Sequence, residues 1–231
     1  MVGLNMKYDI ILFDADDTLL DFKRAERVAL VNSLNKNDIL IKNEDIEIYS
    51  KINLSLWKML EKNEITREKL KVERFTRFLN AINKSGDGRI LSECYMDELA
   101  KCGFVKDGAM EICECLSKKC RLFIATNGLT AVQNSRFSHS GLNEYIEAMF
   151  IPETIGYQKP NVEFFDYIFR FLGDIDKNKV LMVGDSVSSD IMGGINAGID
   201  TCLLDENGSF KDCSLCTYRI TALSELKEIV L

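Results

Sequence analysis

A chain of 231 residues is long enough for one large core, or for a core domain that carries a smaller insertion. Its 36 acidic and 29 basic residues leave a net charge of −7, which argues against a groove that tracks nucleic-acid phosphates, since such a groove needs a basic face. No segment approaches the ~20 apolar residues of a membrane helix, and the first strand lacks a signal peptide's basic flank and cleavage site. The expectation is therefore a cytoplasmic protein with neither a membrane nor a nucleic-acid polymer as partner.

The first element is an apolar run, Ile10-Ile11-Leu12-Phe13, that ends abruptly in Asp14-Ala15-Asp16-Asp17-Thr18. A parallel sheet covered on both faces wants such a strand, and open α/β sheets bind ligands beyond the carboxyl ends of their strands. Asp14 and Asp16 are thereby expected to line a site. A calcium loop is excluded, because its sixth and twelfth positions would need glycine and glutamate where this chain has Leu19 and Ala25. From Phe22 to about Lys101 the pattern is helical. Phe22, Ala25, Val28, Ala29 and Leu34 mark one apolar face, while Ile46, Tyr49, Ile52, Leu56 and Leu60 mark a second with Trp57 beside it. Leu70, Phe75, Phe78, Leu79 and Ile82 mark a third, opened by the capping candidate Thr66. The turn Ser85-Gly86-Asp87-Gly88 precedes a helix of roughly 91–101.

Strands and helices alternate from there: a helix around 110–116, a strand 121–125, a helix 130–140, a strand 149–151, a helix 162–172 and a strand 180–183. A helix 189–197, a strand 201–204 and a helix 224–230 complete the chain. This alternation predicts a parallel sheet with right-handed crossovers. The first two strands are separated by far more chain than a crossover's dozen residues requires, so residues 21–95 read as an α-helical insertion, a cap domain, in a core of 1–20 and 96–231. Eight cysteines in this context read as reduced thiols. Cys213-Ser214-Leu215-Cys216 is a lone CxxC without the second pair that a zinc site needs, and a single histidine, His139, excludes chemistry built on several.

Three later strand ends share one chemical theme: Thr126-Asn127-Gly128, Lys159-Pro160, and Gly184-Asp185-Ser186 followed by Asp190. With Asp14 and Asp16 they place carboxylates, a hydroxyl, backbone donors and one ammonium at one edge, a set that suits a phosphoryl group with Mg²⁺. That ion prefers oxygen ligands at about 2.1 Å and takes one or two carboxylates together with phosphate and water. A carboxylate attacking a phosphate dianion meets like-charge repulsion, which a cation relieves.

The ordered series D-x-D-x-T, Thr126, Lys159-Pro160 and G-D-x-x-x-x-D resembles that of haloacid dehalogenase superfamily phosphatases, over essentially the whole length. The resemblance implies an α/β Rossmann-like parallel-sheet core with an inserted helical cap, and Mg²⁺ as cofactor. It implies Asp14 as the nucleophile forming an aspartyl-phosphate, Asp16 as general acid and base, and Thr126 and Lys159 as the phosphate holders. Asp185, Asp14 and the Asp16 carbonyl would bind the metal, with Asp190 as a supporting carboxylate; the Asn127-Gly128 loop would help to bind phosphate. More narrowly, the motifs at 13–19, Ser55-Leu56-Trp57, Thr126-Asn127-Gly128, Val183-Gly184-Asp185 and 189–198 are similar to those of the pyrimidine 5′-nucleotidase branch. That likeness implies a nucleoside monophosphate as the small phosphorylated partner, Trp57 stacking a base or anchoring the cap's core, and a monomer or homodimer.

A sugar-phosphate phosphatase or mutase uses the same core with a different cap. A dehalogenase needs no second motif aspartate and no magnesium, so Asp16 speaks against one. A phosphate-binding regulatory module of the receiver type would be about half this length without a helical insertion.

Overall fold

The computed structural model describes residues 6–210 and 214–231. Cys213, and with it the full CxxC motif, lies outside the described residues. The chain groups into two compact units. One takes in the chain through Asp21, Phe104–Thr130 and Ser140–Leu231; the other takes in Phe22–Gly103 and Ala131–His139.

The first unit is built on a six-stranded sheet in which every described pairing is parallel. Its strands are β1 (Ile10–Phe13), β2 (Arg121–Ala125), β3 (Ala148–Phe150), β4 (Val180–Gly184), β5 (Asp200–Leu204) and β6 (Tyr218–Ile220), in the spatial order β3-β2-β1-β4-β5-β6. Strand side chains alternate between faces, so Ile10 and Leu12, Phe123 and Ala125, and Val180 and Met182 form one surface. Phe164, Phe165, Ile168 and Phe169 of the helix Val162–Leu172 cover it. The alternate set, Ile11, Phe13, Leu122, Ile124, Leu181 and Val183, is buried on the opposite face. Burial on both faces explains why β1 and β4 are apolar without a break.

The chain runs outward from β1 through β2 to β3, then crosses back to β4 on the other side of β1. Loops leaving β1 and β4 at their carboxyl ends therefore diverge, and the crevice between them is where a doubly wound sheet binds its ligands. The register fixes which residues reach it. Phe13 pairs with Val183, so Asp14 stands just beyond the sheet beside Gly184.

The second unit is helical, with α1 (Phe22–Asn35), α2 (Asn43–Glu61), α3 (Arg67–Ala81) and α4 (Gly88–Ala100) as its main members. Thr66 caps α3 through its hydroxyl, which accepts from Lys69 N, and Asp87 caps α4 by accepting from Arg89 N. Tyr49, Phe75, Phe78 and Tyr95 form a cluster of rings at the centre, with neighbouring centroids 5.4 to 5.7 Å apart. The limit of 95 expected for the insertion falls inside α4, and the unit also takes in residues 131–139.

Two local features differ from expectation. The strand β6 lies where no strand is predicted. The helix expected over 189–197 opens instead as a wide π-type turn, Val187–Ile191, before the regular helix Met192–Ala197. The extra residue in that turn lets Asp190 fold back toward the end of β4, a geometry that such turns often provide at functional sites.

Candidate active site

β1 ends in a loop whose hydrogen bonds fix its acids. Asp14 N–H donates to the Val183 carbonyl at 2.8 Å, which extends the β1–β4 ladder by one residue and holds the Asp14 side chain at the sheet's edge. The Ala15 carbonyl accepts from Leu19 N and Leu20 N, and Asp17 N donates to Leu20 O, closing the loop on itself. Asp17 takes the left-handed conformation at φ 57°, which aspartate tolerates better than most residues. Asp16, half-buried, sits within this loop and forms a bridge with Leu20.

The centre of the site is Lys159. Its side chain is 1% exposed, and its ammonium donates to Asp14 Oδ1 at 2.6 Å and to Asp190 Oδ1 at 2.5 Å. Asp190, itself 1% exposed, accepts at its other oxygen from Ser186 N at 3.0 Å. Glycine at 184 is what allows this approach, because a Cβ there would lie 2.1 Å from Asp190 Oδ2. Asp185 leaves the end of β4 half-buried, and one oxygen from each of Asp14, Asp185 and Asp190 lies within 4.8 Å of the others.

Three carboxylates around one ammonium leave a surplus of two negative charges, and the titration behaviour follows from it. Burial raises the Asp14 carboxyl well above its ordinary range. Lys159 opposes that rise, while Asp190, Asp185 and Asp16 add to it. Asp185 is pushed up to about 7 by burial and by Asp190 and Asp17, against the pull of Lys159. Burial disfavours the charged form of Lys159, but Asp14 and Asp190 outweigh it and hold the ammonium above its usual value. A cluster of hard oxygen donors with surplus negative charge fits a divalent cation of the Mg²⁺ type. Asp14 and Asp185 are the groups that could hold it, since both Asp190 oxygens already accept hydrogen bonds.

The β2 end joins the same edge. Thr126 is buried, with its N–H continuing the ladder to Phe150 O and its hydroxyl oxygen accepting from Gly128 N at 3.1 Å. Asn127 donates to the Lys159 carbonyl and accepts from Lys159 N, both at 2.9 Å, and donates to Ser189 Oγ at 3.3 Å. Of the residues singled out in the sequence, Asp14, Asp185, Asp190, Lys159 and Asn127 are thus interlinked. Thr126, Gly128 and Asp16 flank them on the β2 and β1 loops.

Trp57 belongs to the helical unit. It is half-buried against the cluster of Leu56, Leu60, Ile65 and Leu70, with the Arg67 guanidinium 5.9 Å from its ring. The sequence reading assigns no role to Ser186, which binds Asp190, to Ser189, which binds Asn127, or to Asp17, whose charge bears on Asp185. His139 is exposed on its helix, with Nδ1 2.7 Å from the Ser135 carbonyl.

Residues 8–198 match the haloacid dehalogenase-like hydrolase family. The chain belongs to it. YfnB of Bacillus subtilis is 34% identical over 225 residues, covering 97% of this chain and 96% of its own. The crystal structure of YfnB bound to magnesium, described as revealing interdomain movement, matches with a TM-score of 0.92 over 96% of this hydrolase and 98% of that chain. PynA of Streptococcus pneumoniae, a pyrimidine 5′-nucleotidase, is 39% identical over 85% of this hydrolase and 83% of its own length. YjjG of Escherichia coli, also a pyrimidine 5′-nucleotidase, is 32% identical over 97% and 99%. L-2-haloacid dehalogenase from Xanthobacter autotrophicus shares the fold at a TM-score of 0.74 with 13% identity.

Proposed function

We propose that this hydrolase is a Mg²⁺-dependent phosphomonoesterase acting on nucleoside 5′-monophosphates, pyrimidine nucleotides preferred, through an aspartyl-phosphate at Asp14. The observation that carries the reading is the gathering of Asp14, Asp185 and Asp190 within 4.8 Å of one another at the crevice between β1 and β4, with Asp14 and Asp190 both paired to one buried ammonium.

Mg²⁺ held by Asp14 and Asp185 supplies the positive charge that lets a carboxylate meet a phosphate dianion. Lys159 adds fixed positive charge against the phosphoryl oxygens and keeps one Asp14 oxygen pinned by hydrogen bonding. Asp14 attacks phosphorus with its carboxylate, a P–O bond forms, and the bond to the nucleoside oxygen breaks. Asp16, beside it on the loop, gives that oxygen its proton. In the second half Asp16 takes a proton from water, the water oxygen bonds to phosphorus, and the P–O bond of the acyl phosphate breaks to release inorganic phosphate and the Asp14 carboxylate. Thr126 and the backbone of the Asn127-Gly128 loop are assigned to the phosphoryl oxygens, since the end of β2 adjoins that of β1 in the sheet. Asp190 acts by holding Lys159.

The preference for nucleotides rests on the likeness to PynA and YjjG. Selection of the leaving group is assigned to the helical unit acting as a cap domain, with Trp57 as the base-stacking residue, because the core chemistry fixes only the phosphoryl group. The test is hydrolysis of UMP, dTMP, AMP, glyceraldehyde 3-phosphate and an aryl phosphate with Mg²⁺ and with EDTA. Sugar phosphates turned over far faster than every nucleotide overturn the nucleotidase reading, and hydrolysis undiminished in EDTA overturns the metal dependence.

A further inference from the structure

We propose that Asn127 is a positioning residue whose carboxamide latches the main chain of Lys159 and so places its ammonium between Asp14 and Asp190. The inference rests on the phosphatase reading above for its kinetic consequence, and it replaces the direct phosphate contact that the motif suggests for the Asn127 side chain.

Lys159 is buried, so its peptide N–H and C=O need partners as much as its ammonium does. It lies between the short helix Pro152–Ile155 and the helix Val162–Leu172, outside any regular element that would supply them. Asn127 supplies both. Its Oδ1 accepts from Lys159 N and its Nδ2 donates to Lys159 O, each at 2.9 Å, so the carboxamide pairs with the peptide as a neighbouring strand would. The second Nδ2 hydrogen faces Ser189 Oγ at 3.3 Å, one residue before Asp190. A carboxamide has two donor hydrogens, and both are spent on the protein. The neighbouring Pro160 is tied to the rest of the core separately: Asn196 Nδ2 donates to Pro160 O at 3.0 Å, and the turn is closed by Asn161 N on Gln158 O at 2.8 Å.

One side chain at the end of β2 therefore connects the Lys159 loop to the turn that carries Asp190. Both ends of the Lys159–Asp190 pair are referenced to it. The Lys159 side chain is long and flexible, with much rotamer freedom to lose, so a fixed main chain is what gives its two short contacts a defined place. Aspartate at 127 keeps the acceptor for Lys159 N but sets a carboxylate against the Lys159 carbonyl. Alanine removes both bonds.

The experiment is a double-mutant cycle with aryl phosphate hydrolysis, paired with crystal structures. Asn127→Ala is expected to lower kcat on the order of 100-fold, as misplacement of a charged group by about 1 Å does, with Asn127→Asp falling between it and wild type. In a Lys159→Gln background the same Asn127→Ala change is expected to cost no more than about twofold, since a residue that acts through the ammonium has nothing left to position. Losses that multiply, or a rise in KM with kcat unchanged, overturn the latch in favour of direct substrate contact. The Asn127→Ala structure should show the ammonium withdrawn from Asp14 or Asp190; an ammonium in its original place overturns the proposal. If wild type fails to hydrolyse any phosphate ester, the phosphatase reading falls, and the ammonium's position alone decides the latch.

Discussion

Gly184→Ala probes the site through packing alone. The substitution adds one methyl group to the last residue of β4, whose φ lies outside the left-handed range, so alanine fits the backbone. Space is the obstacle: the new Cβ would lie 2.1 Å from Asp190 Oδ2 and 2.3 Å from its Cγ, where ordinary contact begins near 3.4 Å. The carboxylate must retreat by roughly 1 Å, which carries its 2.5 Å bond to Lys159 and its 3.0 Å bond from Ser186 N beyond hydrogen-bonding range. Opening a buried charge pair costs about 3 kcal/mol or more. In a chain of this size each kcal/mol lowers Tm by about 2–4 °C, so a fall of roughly 6–12 °C is expected by calorimetry in EDTA. Aryl phosphate hydrolysis should drop on the order of 100-fold, because Lys159 loses one of the two carboxylates that fix it. An alanine variant melting within about 1 °C of wild type and retaining half its rate refutes the claim that this glycine exists to admit Asp190.

Asp14→Asn should abolish turnover with the fold intact, since an amide cannot form the acyl phosphate and its neutrality relieves an acid-crowded site; circular dichroism and single-turnover assays check both halves. The metal-free protein has Asp185 raised from 3.8 to about 7, so its contribution to stability is full below about pH 4 and lost as pH rises through about 7. Added Mg²⁺ should accordingly raise Tm more at pH 8 than at pH 6, and an equal shift at both would count against Asp185 as a ligand. Trp57→Ala should raise KM for UMP or dTMP more than for an aryl phosphate, and parallel changes for both would leave Trp57 a packing residue of α2.

What could be read from the sequence was whatever is local. Ile10–Phe13 announces a doubly buried strand, and the acids that follow announce its edge. Thr66 and Asp87 announce helix starts because a cap depends on two or three neighbouring residues. The pairing of Lys159 with Asp14, across 145 positions, has no local signature at all and follows only from the order of the strands. The same holds for Gly184, whose need for a missing Cβ becomes visible only once Asp190 has folded back over it. β6 escaped because three residues, Tyr218-Arg219-Ile220, are too few to show a period of two. The π-type turn escaped because its apolar spacing is that of the helix it opens.

The place of β1 between β2 and β4 also sets a timetable for synthesis. Ile10 pairs with Val180, so the strand that carries Asp14 cannot gain its second neighbour until 170 further residues have been made. At about 5–20 residues per second that interval is roughly 10–30 s, during which four consecutive apolar residues wait beside an incomplete sheet. The helices α1 to α4, all of them made before β2, are free to pack on one another within the wait. Asp14 meanwhile stays apart from Asp185 and Asp190, and the burial and mutual repulsion that raise Asp14 and Asp185 are incurred only when β4 docks.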